Sequence, residues 1–527
     1  MRLQIHSNVL DGPNRIFQFH ISKKPNYILK IEKLLIANRG EIAVRIIRSA
    51  QEMGIITVAV YSSADKKARH VLAADEAYWI GEAPSSESYL KGDLLIETAK
   101  KAGAQAIHPG YGFLSENAGF AKSVRDAGLI FVGPSPESIL AMGDKLRSKE
   151  TARKSNVPMV PGSDGAINTL EEALEVSKLT GFPLLIKASA GGGGKGMRVV
   201  TKAEELENEM QMAMREAQSA FGDATVFIER YVQNPKHIEI QVIGDQHGNI
   251  VHLFERDCSI QRRHQKVVEE APSGILTPEV REAMGRDAVN LAKSCGYFST
   301  GTVEFIMDQN LKYYFLEMNT RLQVEHPVTE LITGLDLVKE QIRVAQGEVL
   351  SDHVLNAKMR GHAIEIRICA EDPSNQFLPD VGTLDHFEGP KGPGIRLDSG
   401  YETGDEIPIY YDPLMAKLIV YDIDRISAIK RMSQAIEKFD LRGVANTLGF
   451  CHWVMNHPDF QHGWFDTHFI AKKFDPSVLN PKLDDSEMEA LAIAALILVD
   501  KNKNIPVESQ EMQAQSKNNW RNRRHIV

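Results

Sequence analysis

At 527 residues the chain exceeds the roughly 100 to 200 that one core holds, so about two to four compact units are expected. A formal net charge of −9 argues against a general nucleic-acid binder, which needs a basic surface to neutralise phosphates, but leaves room for a local basic pocket. Cys258, Cys295, Cys369 and Cys451 stand too far apart for metal-site spacing or a disulfide framework, which suits a reducing, cytoplasmic setting; the longest apolar run, Ala490 to Val499, is about half of what a membrane-spanning helix needs, so a soluble protein with no membrane partner is expected.

Residues 1–32 match no usable pattern and are expected to be a disordered extension. They lack the apolar core of a secretory signal, and an organelle-targeting peptide stays open because Asp11 is the one acid up to Lys30. From Lys33 a βαβ unit is legible: Leu34 to Ala37 as a strand, Asn38-Arg-Gly-Glu41 as a turn, Ile42 to Met53 as an amphipathic helix stopped by Gly54, and Ile55 to Val60 as the next strand. Apolar pieces at Ala106-Ile107 and Leu129 to Val132 extend this to a parallel, doubly wound sheet, so the expected class is α/β, or α+β over the whole chain. The loop His108 to Asn117 is glycine-rich and polar at a strand's carboxyl end, where ligands sit in open α/β sheets; a tight connecting loop is the plainer reading.

Lys145 opens a helix, and Pro158 and Pro161 mark a boundary. Phe182 to Lys187 reads as a buried strand, Ala188 to Gly196 as a glycine loop, and Met197 to Val200 as a second strand. Gly191, Gly193 and Gly196 have dinucleotide-binding spacing, but no helix pattern follows to receive a pyrophosphate, and Lys195 is followed by Gly196 where a Walker motif needs Ser or Thr. A hairpin flap over phosphates is left, because backbone N–H groups reach oxygens most easily where no Cβ intervenes. Lys187, at the end of an apolar strand, is either snorkelling or bound to an anion.

After a charged helix from Ala203 to Ser219 comes the strand Val226 to Val232, and then His237 to Val242 alternates strictly, placing His237, Glu239 and Gln241 on one face. Gln261-Arg-Arg-His-Gln-Lys266 is a basic cluster in an acidic chain; it is either a solvated charge run or a set of phosphate-binding cations. Gly301 to Met307 and Tyr313 to Asn319 read as a hairpin around Asp308, Gln309 and Asn310. If Glu304 stands opposite Glu317, two carboxylates meet about 5 Å apart and need a cation; with Asn319 on the face of Glu317, the oxygen donors suit Mg²⁺ or Mn²⁺. Gly361 to Ile368 alternates again, the region to Phe474 reads as strand-rich, and an alanine-rich helix, Glu487 to Val499, precedes a basic tail.

Five motifs occur in order: Asn38-Arg-Gly-Glu-Ile-Ala43, His108 to Asn117, the Gly191 to Gly196 loop, Arg262 to Pro272, and Glu317-Met-Asn-Thr-Arg-Leu-Gln-Val-Glu-His-Pro327. Together they make the chain from Lys33 to about Phe474 resemble biotin carboxylase. The resemblance implies the ATP-grasp fold, with a doubly wound N-terminal domain over 33–145, an ATP-grasp domain over 146–350 whose mobile glycine-loop lid spans about 160–232, and a β-rich C-terminal domain over 351–474, leaving 475–527 as a helical and basic tail. It implies ATP-dependent carboxylation of biotin by bicarbonate through carboxyphosphate. Glu304, Glu317 and Asn319 would hold two Mg²⁺ or Mn²⁺ ions. Lys145, Lys187, Gly193, Gly194, His237 and His264 would contact ATP, with Glu229, Arg230, Tyr231 and Val232 beside the adenine. Arg321, Gln323, Val324 and Lys266 would bind bicarbonate, Glu325 would be its base, and Arg367 would stabilise charge on the biotin ureido oxygen.

No Ala-Met-Lys-Met segment of a biotin carrier occurs, so biotin is expected on a separate carrier protein, with a carboxyltransferase subunit as second partner. The chain would then serve an acyl-CoA or pyruvate carboxylase, as a homodimer or within a larger complex. The alternatives are another ATP-grasp ligase acting on a carboxylate or bicarbonate, and a non-catalytic nucleotide-sensing subunit. A protein kinase is disfavoured because Lys187 precedes the glycine loop and no His-Arg-Asp segment appears.

Overall fold

The computed structural model describes residues 29–188, 197–479, 488–490 and 492–497. The 1–28 part of the extension, the loop carrying Gly193 and Gly194, and most of the basic tail lie outside the described residues, as does the side chain of Lys145. Among the described residues no helix is long and apolar enough to cross a membrane.

The amino-terminal part is the expected doubly wound sheet. Its strands are β1 (Lys33–Ile36), β2 (Ile56–Tyr61), β3 (Glu76–Trp79), β4 (Ala106–His108) and β5 (Ile130–Phe131), all parallel in the order β3-β2-β1-β4-β5. Leu34, Leu35 and Ile36 are fully buried, as a strand covered on both faces requires. The helix Gly40–Glu52 buries Ile42, Ala43, Ile46, Ile47 and Ala50, a stripe at helical spacing. At the carboxyl ends of β1 and β4, Asn38 Nδ2 donates to the carbonyls of Pro109 and Tyr111, both at 2.7 Å, and so ties the first turn to the glycine loop. Gly110 in that loop has φ +64°, and a Cβ there would lie 2.9 Å from Asn38 Nδ2, so only glycine fits.

The glycine-loop hairpin is present as β6 (Leu184–Ala188) and β7 (Met197–Val200), which pair antiparallel; β8 (Val226–Arg230) flanks β6 on the other side. Downstream lies one sheet of eight strands: β9 (Lys236–Gly244), β10 (Ile250–Arg262), β11 (Gln265–Ala271), β12 (Ser299–Met307), β13 (Tyr313–Asn319), β14 (His362–Cys369) and the segments Leu414–Asp422 and Ile395–Ser399. Its order is β13-β12-β9-β10-β11-β14, then Leu414–Asp422 and Ile395–Ser399, and every neighbouring pair is antiparallel. The pairing of β11 with β14 carries this sheet across the boundary read near residue 350, so the strand-rich C-terminal part is built onto the same sheet.

One buried ionic contact fastens that junction. Glu270 on β11 accepts from His362 Nε2 at 2.9 Å and from Arg425 Nε at 2.7 Å. Burial opposes the Glu270 charge, but Arg425 and then His362 overcome it and hold the carboxyl down to about 2. Because the folded value lies below the ordinary 4.5, the contact stabilises fully above that pH and fades as pH falls towards 2. Arg425→Met is therefore expected to destabilise the protein by about 3–5 kcal/mol at neutral pH in urea unfolding. Its difference from the unaltered protein should shrink as pH drops below the ordinary carboxylate value; a difference independent of pH would contradict the assignment.

Candidate active site

Strand alternation builds the site. On β9 His237, Glu239 and Gln241 point the same way, and all three are buried. β12 places Glu304 opposite Glu239 on one side and opposite Glu317 of β13 on the other. Three carboxylates thus stand in a row across three neighbouring strands, and the hairpin register expected for Glu304 and Glu317 is the observed one.

Lys266, entering from β11, meets this row with a single ammonium. It donates to Glu239 Oε2, to Glu304 Oε1 at 2.9 Å and to Glu325 Oε1 at 2.7 Å. Glu304 Oε1 also accepts from Asn319 Nδ2 at 2.9 Å and Gln323 Nε2 at 2.8 Å, while His237 Nε2 lies 3.2 Å from Glu304 Oε2. Burial disfavours charge on His237, but the Glu304 carboxylate outweighs it and pushes the imidazole up to about 9. Glu317 differs. Loss of water around it and the charge of Glu304 raise its pKa, and among the described residues no lysine or arginine forms a salt bridge with it. The Glu304 and Glu317 carboxylates and the Asn319 amide oxygen, which here accepts from Arg321, are oxygen donors of the kind that suit a divalent ion.

Beyond the row, Glu325 is fully enclosed, with Oε1 on Lys266 and Oε2 accepting from Arg367 Nη2 at 3.0 Å. Burial would raise its pKa, yet Lys266 and Arg367 hold it down, so the group sits as a carboxylate, the form a base requires. Arg367 Nε donates to Glu269 Oε1 at 2.6 Å. Arg321 Nη2 donates to Asn319 Oδ1 at 2.9 Å, and its Nε donates to Glu116 Oε2 at 2.9 Å. The carbonyl of Val324 accepts from Lys417 Nζ at 2.8 Å. A cavity of about 500 Å³ opens beside these groups, lined among others by Glu41, Tyr111, Lys266, Arg321, Val324 and Arg367.

At the end of β6 Lys187 is bound to an anion, donating to Glu229 Oε2 at 2.5 Å, and Lys149 takes the other oxygen. Arg230 lies 3.6 Å from Asp308 and extends over the Tyr314 ring. Tyr231 Oη is 3.4 Å from His468 Nε2, and Val232 is buried. The basic cluster from Gln261 does not act as one patch. Arg263 and His264, at φ 48° and 68°, form the two-residue turn between β10 and β11, exposed at its tip. Arg262 Nη2 is committed to Glu371 at 2.6 and 2.7 Å, which leaves Lys266 as the cation facing the carboxylate row.

Several residues of the site escaped sequence reasoning. Glu116 sits in the glycine-rich loop singled out as a ligand loop, and a lone carboxylate there was its signal. Glu239 lies on the polar face read from strand alternation. Arg256 and Lys417 are both fully buried; Lys417 had the signal of a charge inside an apolar strand, whereas Arg256, within the charged run Glu255-Arg256-Asp257, had none.

The family model for the "Biotin carboxylase, N-terminal domain" matches residues 30–139, that for the "Carbamoyl-phosphate synthase L chain, ATP binding domain" matches 144–353, and that for the "Biotin carboxylase C-terminal domain" matches 365–472. Fold and site together define an ATP-grasp protein. The chain is 51% identical over 444 residues to the biotin carboxylase of Nostoc sp., covering 84% of this chain and 99% of that one. It is 50% identical over 471 residues to the mitochondrial propionyl-CoA carboxylase alpha chain of Sus scrofa, covering 89% of this chain, and it spans 64% of that relative's length. The structure resembles that of the biotin carboxylase domain dimer of Hydrogenobacter thermophilus 2-oxoglutarate carboxylase, solved with MgADP, ADP and bicarbonate, with a TM-score of 0.79 at 49% identity, covering 86% of this chain and 99% of that one. The chain belongs to the biotin carboxylase family.

Since three enclosed carboxylates share this one ammonium, Lys266→Met is expected to lower stability by about 3–5 kcal/mol in urea unfolding. A change below about 1 kcal/mol, the level of a surface ion pair, would contradict this compensation.

Proposed function

We propose that the chain carboxylates biotin with bicarbonate in an ATP-dependent, ADP-forming reaction, the first half-reaction of an acyl-CoA or pyruvate carboxylase. The observation that carries the reading is the single Lys266 ammonium joining the Glu239–Glu304 carboxylates to Glu325, beside a cavity that Arg321 and Arg367 line. Bicarbonate is a poor electrophile. Arg321, Gln323, the Val324 backbone and Lys266 would hold it, and Glu325, kept ionised, would take its proton. Its oxygen then attacks the γ-phosphate to give carboxyphosphate and ADP; the carboxyl group passes to the ureido nitrogen of biotin as its bond to phosphate breaks, and the nitrogen's proton leaves with the inorganic phosphate released. Arg367, cationic at any working pH, would stabilise negative charge on the ureido oxygen. A divalent ion on Glu304, Glu317 and Asn319 would supply charge neutralisation at the phosphates.

Lys145, Lys187, Gly193, Gly194, His237 and His264 are assigned to ATP, with Glu229 to Val232 at the adenine; the Lys187–Glu229 pair at the end of β6 supports that placement. The proposed partners are a biotin carrier protein and a carboxyltransferase, with the chain acting as a dimer within a carboxylase complex. The similarity along 99% of a Nostoc biotin carboxylase and to a dimeric biotin carboxylase domain supports this. A cytoplasmic setting is proposed with it, on four free cysteines.

Purified protein supplied with Mg-ATP, bicarbonate and free biotin should release ADP in a manner that needs bicarbonate and rises with biotin. Glu325→Gln and Arg367→Ala should each lower that biotin-dependent release at least about a hundredfold. Near-normal turnover in both variants would sink the role assignments, and ADP release indifferent to biotin would favour a different bicarbonate or carboxylate ligase.

A further inference from the structure

Arg256, on β10, has none of its side chain exposed, and each of its five N–H donors has an acceptor. Nε donates to Glu239 Oε1; Nη1 donates to Gln241 Oε1 at 2.6 Å and Thr329 Oγ1 at 2.9 Å; Nη2 donates to Thr302 Oγ1 at 3.0 Å and Gln323 Oε1 at 2.6 Å. No donor is left over for a substrate. Whatever Arg256 does for the reaction, it does through the groups it holds.

Two of those groups belong to the site. A glutamine amide is an acceptor at one end and a double donor at the other, and nothing in its own shape decides which end turns which way. A guanidinium has no acceptor, so it can take only the oxygen of Gln323. That choice turns the Gln323 nitrogen towards Glu304, where Nε2 donates to Oε1 at 2.8 Å, on the side where Lys266 also stands. With the amide reversed, its oxygen would face the Glu304 carboxylate and its nitrogen the guanidinium, and both contacts would repel. The second group is Glu239, whose Oε1 is taken by Arg256 while Oε2 receives Lys266. Arg256 therefore closes a ring: through Gln323 to Glu304, and through Glu239 and Lys266 back to Glu304 and to Glu325.

We propose that Arg256 is a positioning residue that fixes the donor end of the Gln323 amide and the seat of Lys266, and thereby sets the affinity for bicarbonate. This rests on the reading that Gln323 and Lys266 hold bicarbonate. Lysine cannot replace the residue, since an ammonium offers three donors on a flexible stem where five acceptors surround a planar fork.

The test is steady-state kinetics of the full chain with Arg256→Lys, Gln323→Ala and the double variant, with KM for bicarbonate and for ATP measured separately. Arg256→Lys should raise the bicarbonate KM about ten- to a hundredfold, the scale on which small misplacements act, while the ATP KM stays within about twofold. Gln323→Ala should raise it comparably, and the double variant should exceed the worse single by no more than about twofold, because both changes remove the same arrangement. Gln323→Ala raising the bicarbonate KM while Arg256→Lys leaves it unchanged would overturn the inference, as would fully multiplicative effects in the double variant or a parallel loss of ATP affinity in Arg256→Lys. Gln323→Ala without effect on the bicarbonate KM would instead overturn the assignment of Gln323. Should Arg256→Lys fail to fold, Thr329→Val removes one guanidinium acceptor at nearly constant volume and is expected to raise the bicarbonate KM about threefold; unchanged kinetics there would count against the proposal.

Discussion

The site depends on one ammonium among carboxylates. Glu239, Glu304 and Glu325 come from β9, β12 and the segment after β13, and each would resist burial as an anion on its own. Lys266 reaches all three. Its charge is compensated by theirs, and theirs by it, Arg256, His237 and Arg367. A buried ion pair of this kind contributes little net stability against an apolar core, but its geometry is exacting, since removing any member leaves an enclosed charge without a partner. The chain keeps a costly arrangement where a chemical task needs one.

That arrangement is possible because neighbouring strands are in a register that brings every second residue of β9, β12 and β13 to the same face. A slip of one residue would turn Glu304 towards the apolar side and Val303 into the cleft. The remaining walls come from elsewhere in the chain. Lys417, fully buried, links the Val324 carbonyl to Glu41 at the start of the helix Gly40–Glu52, and Tyr111 of the glycine-rich loop donates to the same carboxylate. Arg39 is held by Asp65 and lies under the Tyr411 ring, 4.0 Å from its centroid. The cavity is therefore framed by the carboxyl ends of the first sheet and by the far half of the second.

What the sequence made legible were features with a local signature. Strict alternation in His237 to Val242 identified the polar face of β9, and the turn at Asp308 to Asn310 gave the hairpin that pairs Glu304 with Glu317. Parallel strands with a helix between them announced the first domain. Contacts made across hundreds of residues had no such signature. Nothing local says that β11 pairs with β14, so the C-terminal strands read as a unit of their own, although they continue the central sheet. The cluster around Arg262 reads as one basic patch, yet a two-residue turn splits it and sends Lys266 inward, Arg262 to Glu371, and His264 to the tip. Arg256 and Lys417 were hidden because a buried cation carries meaning only once its acceptors are known.

On the proposed function, Glu304, Glu317 and Asn319 would receive a divalent cation next to a nucleotide. Binding of Mn²⁺ in the presence of ADP, followed by electron paramagnetic resonance, addresses it without requiring turnover. Glu304→Gln and Glu317→Gln are expected to weaken Mn²⁺ binding at least about tenfold, as loss of a charged oxygen ligand should, whereas Glu402→Gln, exposed and distant in sequence, should leave it unchanged. Equal Mn²⁺ affinity in all four proteins, the unaltered chain included, would contradict the account.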